Sequence, residues 1–246
     1  MYENLEYEVA DGVASLFLNR PQKKNAYIPQ MGEDIVAAME AAMADAAVRV
    51  VLLAGRGDAF CAGVDLDFLK AHMAGETTGD GPALGTEHLV NAWPLELVDY
   101  PKPVIVAMHG AAFGVGVTMT LGCDVRYVEE GTKLGLNFTS LGVLPGLGST
   151  HHLPRLVGPG KALELVLSGA TLGAAEAVEI GLAQKLCAKG EVQNEARALA
   201  LSMAEKKPEV LAAAKRAVRS GSGSTLADAI DMEKELSAMI RNTRKG

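Results

Sequence analysis

Histidines, cysteines, serines and a few glycine-bearing turns are the places in this 246-residue chain where chemistry could be built. His151 and His152 are adjacent, so they leave a helix or strand in different directions and make a poor joint metal site. Cys61, Cys123 and Cys187 are widely spaced and form no CxxC pair, which argues against a zinc site or a disulfide framework and fits a reducing cytoplasm. Ser149 and Ser222 lack a GxSxG setting, and Gly160-Lys161 lacks the earlier glycine and the following hydroxyl residue of a P-loop. GVGVTM at 114–119 lacks the third glycine of a dinucleotide fingerprint. No metal and no separate cofactor is expected.

Two segments remain, AFCAGVDL at 59–66 and HGAAFGVG at 109–116, each following an apolar run that reads as a strand. The second leads into a helix, where the Val115 N–H would point outward at the positive end of the helix dipole and Gly114 and Gly116 would permit close approach. The Val64 N–H supplies a second donor if a parallel sheet brings the two strand ends together. Two amides would then meet at one oxygen and stabilise negative charge developing on it. Taken singly, the same glycines would serve only tight turns and helix packing.

The elements that must hold these turns follow from apolar spacing. Residues 5–18 alternate around Asp11-Gly12 and predict a β-hairpin. Helical spacing over 29–47 and a β-branched run over 49–53 continue it. A helix near 87–98, a strand at 103–108, a helix at 114–121 and a strand at 124–128 form a second such unit, so an α/β fold with a largely parallel sheet is expected. Beyond 159 strands nearly vanish, and 161–168, 173–180, 191–206, 208–220 and 226–241 read as helices. The stretches 75–85 and 133–148 fit neither pattern and read as loops long enough to carry function.

With 49% apolar and 22% charged residues the chain has the composition of a folded globular protein that needs no staple. A net charge of −7 and singly scattered lysines lack the basic stripe that nucleic acid requires. No apolar run reaches the roughly 18 residues of a bilayer span, and MYENLEYEVADG has no signal pattern, so a soluble, unprocessed cytoplasmic protein without nucleic-acid or membrane partners is expected.

The segments FLNRPQKKNA at 17–26, AFCAGVDL at 59–66 and KPVIVAMHGAAFGVGVTMTLGCDVRY at 102–127 resemble the crotonase, or enoyl-CoA hydratase/isomerase, superfamily. The resemblance continues through SLGVLPGLGSTHHLPRLVGPGKALELVLSG at 140–169 and AAEAVEIGLAQKL at 174–186, in order and over nearly the whole chain. It implies the crotonase-like (ClpP/crotonase) fold: a spiral of ββα units over 1–190 that binds acyl-CoA, and a helical C-terminal region over 191–246 for trimerisation and pocket closure. It also implies a thioester oxygen held by the amides of Val64 and Val115, with CoA running along Lys24, Ala26, Ala62, Gly63, Asp65 and Leu66. Coenzyme A enters as part of the substrate, and a homotrimer or dimer of trimers acting in fatty acid metabolism is the implied assembly. Helices 208–220 and 226–241 are the implied contact, although Ile230, Leu236 and Ile240 could equally cover their own subunit.

The sequence departs from the family at the chemistry. Where hydratases of the family carry two glutamates, one after the second oxyanion residue and one in the following loop, this chain has Thr118 and Phe138. Neither side chain ionises near neutral pH, so general acid–base work by that pair is not available and ordinary hydration is not expected. The family isomerases also use the loop glutamate, and the nucleophilic aspartate of the dehalogenases falls at Gly146. Substitutes are sought in His88, Glu87, Asn137, Thr139 and Asp65, of which His88 is favoured because imidazole is the side-chain type that moves protons near neutral pH, and Asp65 also suits a helix N-cap. Thr118, Asn137, Phe138 and Thr139 are assigned to the substrate pocket, which Phe138 would narrow and dry. The expectation is an acyl-CoA lyase, isomerase or hydrolase that stabilises an enolate, with decarboxylation, hydrolysis or carbon–carbon cleavage as candidate reactions. The alternative is an acyl-CoA-binding protein that has lost catalysis.

Overall fold

The computed structural model describes residues 2–76, 78 and 81–243, so part of the expected 75–85 loop lies outside the described residues. The chain opens with the expected hairpin, β1 (Leu5–Ala10) and β2 (Val13–Leu18), paired antiparallel about Asp11 and Gly12, both at positive φ. Then follow α1 (Pro29–Ala44), β3 (Val50–Gly55), α2 (Leu66–Ala74), α3 (His88–Asn91), α4 (Trp93–Asp99), β4 (Val104–Met108), β5 (Ala111–Phe113) and α5 (Val115–Thr118). Next come β6 (Val125–Glu129), β7 (Lys133–Gly135), α6 (Ser149–Val157), α7 (Pro159–Ser168), β8 (Thr171–Gly173), α8 (Ala174–Glu179) and β9 (Lys185–Cys187). The helices α9 (Val192–Ala204), α10 (Pro208–Gly221) and α11 (Leu226–Thr243) complete the described chain.

A six-stranded sheet runs β1-β2-β3-β4-β6-β9, parallel from β2 onward, and a smaller sheet of β5, β7 and β8 stands beside it. The central strands are buried on both faces, as their unbroken apolar runs require. Period-two alternation divides them: Leu16, Val51, Leu53, Val106 and Met108 face the main core, whereas Val13, Val50, Leu52 and Ile105 face a second one. That second face is covered by Val192, Ala196, Ala200 and Ala204, a stripe of i,i+4 spacing along α9.

The sequence reading needs four corrections. The helix expected at 87–98 is broken into α3 and α4, because Pro94 cannot continue a helix and sits in the first turn of α4. The helix expected at 114–121 is one turn, and the chain beyond it tightens into i→i−3 bonds from Thr120 to Val117 and from Leu121 to Thr118. The supposed loop 133–148 contains β7, and two further short strands, β8 and β9, lie beyond residue 159. The helix α6 was not anticipated, since Pro154 interrupts its pattern and Gly148, at φ 66°, starts it.

No residue of α10 is buried, and the helix is docked by charge instead. Asp124, at the start of β6, accepts the Val104 N–H at 2.7 Å and pairs with Lys215 and Arg219 of α10, both at 2.8 Å. Removing this half-buried carboxylate strands two cations, which costs about 2–4 kcal/mol where their partner is lost. Asp124→Ala is therefore expected to raise amide hydrogen exchange throughout 208–221 while β3 and β4 stay protected. Unchanged exchange in α10 would show that its docking does not depend on Asp124.

Candidate active site

The site begins in the loop after β2. Lys24 and Asn25 adopt left-handed φ values of 51° and 52°, and Asn25, one of the few residue types that visits this region readily, is fully buried. Its Oδ1 accepts the Arg20 N–H and its Nδ2 donates to the carbonyls of Arg56 and Ala59, each at 2.8 Å. The Ala62 N–H donates to Lys24 O at 3.0 Å, and the Arg20 guanidinium donates to Ala26 O and pairs with Asp65 at 3.3 Å. The loop 24–27 and the turn 61–66 are thus laced into one patch, on which Lys24, Ala62 and Leu66 are exposed. Asp65 is buried and its carboxylate is committed: besides Arg20, it accepts the Asp67 N–H at 3.1 Å as N-cap of α2. The N-cap role is the one the sequence suited to Asp65.

The two expected donors lie on adjoining strands of chain. Val64 forms a parallel bridge with Tyr27, in which the Tyr27 N–H donates to Gly63 O and the Asp65 N–H to Tyr27 O, both at 2.8 Å. Those bonds use the groups flanking Val64, so its own N–H turns the opposite way. On that side runs β5, joined to the turn through Phe113 N–H to Cys61 O at 2.9 Å and Cys61 N–H to Ala111 O at 3.0 Å. Gly114 N–H donates to Gly135 O, and at φ 51° and ψ −117°, a conformation open only to glycine, Gly114 reverses the chain so that Val115 opens α5. Among the described residues no acceptor takes the N–H of Val64 or of Val115. With one turn of helix behind it, the Val115 N–H owes little to a macrodipole and is a strong donor because it has no partner.

Close packing fixes this juxtaposition. A Cβ on Gly116 would stand 2.7 Å from Cys61 O and 2.8 Å from Cys61 Cβ, and a Cβ on Gly63 would stand 3.3 Å from Phe113 O. Cys61 is therefore sealed beneath the two turns, and burial pushes its thiol up to about 12, so it is not a nucleophile. Tyr27 was not singled out from the sequence, yet it carries the Val64 bridge and donates its hydroxyl to the buried Glu87 at 2.8 Å. Burial and the Glu87 carboxylate raise the phenol well above its ordinary range. Glu87 is thereby spent on structure, its other oxygen accepting the Gly85 N–H at 2.6 Å.

The remaining candidates separate. The loop 137–138 covers the Gly114 turn: from a Cβ placed on Gly114, the tip of the Phe138 ring would be 3.8 Å away and Asn137 Oδ1 3.9 Å. Phe138 is buried, and the Asn137 side chain makes no hydrogen bond among the described residues. Thr118, one turn after Val115, is also buried. Thr139 and His88 are not brought to this cluster. The exposed Thr139 hydroxyl donates to Val166 O at 2.9 Å, and His88 Nε2 meets both carboxylate oxygens of Glu96 at the surface, at 2.9 and 3.0 Å. His88 faces outward because α3 is so short that its single buried position goes to Leu89.

Cavities add a residue that the sequence reading left aside. One of about 820 Å³ is lined by Asp58, His109, Glu129 and Lys189 and touches neither amide. A second, about 520 Å³, lies between α4 and the pair α10 and α11. A third of only about 20 Å³ is lined by Thr118 together with His152, which had been weighed only as a metal ligand beside His151. No group of three or more His, Cys, Asp or Glu among the described residues is placed to hold a metal ion. No helix there is long and apolar enough to cross a membrane.

A family model described as enoyl-CoA hydratase/isomerase matches residues 8–246. The chain is 33% identical over 237 residues to 1,2-epoxyphenylacetyl-CoA isomerase of Escherichia coli K12, covering 96% of this chain and 89% of that one. It is 34% identical over 235 residues to crotonyl-CoA hydratase of Syntrophomonas wolfei, covering 94% and 87%. Among solved structures it is similar to a protein of Thermobifida fusca, described as an enoyl-CoA hydratase and solved in complex with CoA. That likeness has a TM-score of 0.87 at 26% identity, over 99% of this chain and 95% of the other.

Gly116→Ala places a methyl group against Cys61 with no room to yield, and overpacking of this kind costs about 1–3 kcal/mol. Urea unfolding is expected to show a loss of that size and heteronuclear NMR to show displaced Val64 and Val115 amide resonances. A variant of parent stability with both resonances in place would mean that the contact does not set the geometry.

Proposed function

The chain belongs to the enoyl-CoA hydratase/isomerase family, and from that premise we propose that it binds a CoA thioester with the carbonyl oxygen between the N–H groups of Val64 and Val115. The observation that carries this reading is the pair of unpartnered amides on the packed turns at 61–66 and 111–116. Donors already aimed and already free of competing acceptors need no reorganisation as negative charge grows on the oxygen, which is where such a site lowers a barrier. The CoA moiety runs along the 24–26 and 62–66 patch, with the exposed Lys24 as the phosphate contact. The complex of the T. fusca relative with CoA supports a CoA ligand.

The reaction is enolate chemistry other than standard hydration. Thr118 and Phe138 stand where the family resemblance places its two glutamates, and each general acid or base so lost costs about 10²- to 10⁴-fold. Phe138, buried beside Gly114, and the unpaired Asn137 amide make a dry acyl pocket with one polar group. The names of the relatives span an isomerase and a hydratase, so kinship does not fix the reaction. Decarboxylation asks least of this site, because the amides stabilise the enolate and no base removes a proton in that step. A non-catalytic acyl-CoA-binding protein is the second reading, favoured by the outward, Glu96-paired His88. Assembly as a homotrimer or dimer of trimers through α10 and α11 belongs to the same proposal. The exposed Val218 and Leu226 are available for it, whereas the buried Leu236 covers its own subunit.

A panel of acyl-, enoyl- and malonyl-type CoA thioesters incubated with the protein, resolved by chromatography and mass spectrometry, tests this reading. Conversion without gain of water, lost in a folded Val115→Pro variant, is expected, because proline removes the donor. Hydration of the enoyl thioesters at an ordinary enzymatic rate would overturn the exclusion of hydration. In the Thr118→Glu, Phe138→Glu double variant, gain of hydration is expected if the oxyanion turns are intact, and its absence would count against the proposed alignment of those two positions.

A further inference from the structure

His152 and Thr118 line one small cavity, with Leu97, Met119 and Leu147 among its apolar walls and Trp93 beside them. Thr118 follows Val115 by one turn on the same face of α5 and is buried. The Thr118 hydroxyl and both ring nitrogens of His152 make no hydrogen bond among the described residues. Two glycines admit the imidazole: a Cβ on Gly122 would stand 3.5 Å from Nε2, and one on Gly148, 3.5 Å from Cδ2. The cavity, about 20 Å³, has room for one water, and a water in so apolar a space needs polar partners. Among its lining residues the Thr118 hydroxyl and the His152 ring offer acceptors, and the Trp93 indole offers a donor alone.

Resting on the function proposed above, we propose that Thr118 and His152 hold one water between them and that this water passes the α-proton of the bound thioester to His152. The α C–H bond breaks, and its electron pair forms the enolate whose oxygen is held by Val64 and Val115. The water takes that proton and gives one of its own to an imidazole nitrogen, so one proton moves from carbon to His152. On the return step it comes back, and no other reactant is consumed. His152 acts through the water and is a positioning and proton-holding residue, filling from α6 the role that the residue at 118 cannot perform itself.

The charge around the ring suits a proton acceptor. His151 and Arg155 on α6, Arg126 on β6 and Arg219 on α10 all bear on it, and burial followed by these neighbours lowers its pKa below the usual 6.5. The ring is therefore neutral near pH 7. Protonation sets in only at more acid pH, where exchange should fall.

The test is hydrogen–deuterium exchange at the α-carbon of butyryl-CoA and phenylacetyl-CoA in D2O, read by mass spectrometry across about pH 5 to 9, with binding of the same thioesters measured by calorimetry. The parent is expected to exchange the α-hydrogens with an acid limb whose midpoint lies below 6.5. His152→Gln should slow exchange about 10²- to 10⁴-fold and abolish the limb, with binding and Tm close to the parent's. Thr118→Val, which keeps the shape and removes the hydroxyl, should slow exchange while leaving the limb in place. Unchanged exchange in His152→Gln, or an acid limb that survives it, overturns the relay. So does a parent that binds the thioesters without exchanging them. If Val115→Pro loses exchange and His152→Gln keeps it, the oxyanion site stands and the relay falls; a parent that binds neither thioester overturns the proposed function itself.

Discussion

The contact between Gly116 and the backbone of Cys61 governs how the rest of the site can be arranged. At that point the first turn of α5 rests directly on the turn 61–66, with no space for even a methyl group. The parallel sheet brings the ends of β3 and β4 side by side, but a sheet alone leaves neighbouring backbones about 4.8 Å apart with their N–H groups paired. Here the ladder continues briefly through Cys61 and Ala112 and then stops, because Gly63 and Gly114 turn the chain at positive φ. Two N–H groups are left over where the pairing ends. Their lack of partners is a cost that the surrounding hydrogen bonds of Asn25, Tyr27 and Asp65 offset, and on the function proposed above a ligand oxygen satisfies them.

Much of this was legible in the residues. Alternation about Asp11-Gly12, the β-branched runs and the glycines at 63, 114 and 116 specify the hairpin, the parallel strands and the two turns, since each is a local rule acting on a few adjacent residues. What escaped is longer in range. Asn25 reads as one more polar loop residue until the carbonyls of Arg56 and Ala59 are found around it. Tyr27 and Glu87 are 60 positions apart and look unrelated in sequence. A continuous helix over 87–98 would carry His88 into the pocket; Pro94 divides it and leaves the imidazole with Glu96. The adjacency of His151 and His152 speaks only against joint metal binding, and Pro154 masks the helical pattern of α6 that places His152 at the cavity.

The deeper part of the molecule shows a second electrostatic organisation. Asp124 gathers Val104, Lys215 and Arg219 and fastens α10 to the start of β6, while the buried Arg126 donates to the carbonyls of Thr120, Cys123 and Leu182. Burial first, then the charges of His151, Arg219, Arg126 and Arg155, lower the pKa of His152. On the function proposed above the chemistry rests on amides, a hydroxyl and one histidine, in a family whose relatives are named both as an isomerase and as a hydratase.

The central claim is that two backbone amides polarise a thioester carbonyl. Isotope-edited infrared difference spectroscopy of butyryl-CoA carrying ¹³C at the thioester carbon reads that polarisation directly. The account predicts a carbonyl stretch at lower frequency in the bound state than in free solution, with most of the displacement lost in the Val115→Pro variant. A bound carbonyl that absorbs at its solution frequency would contradict it, whatever reaction the protein is later found to perform.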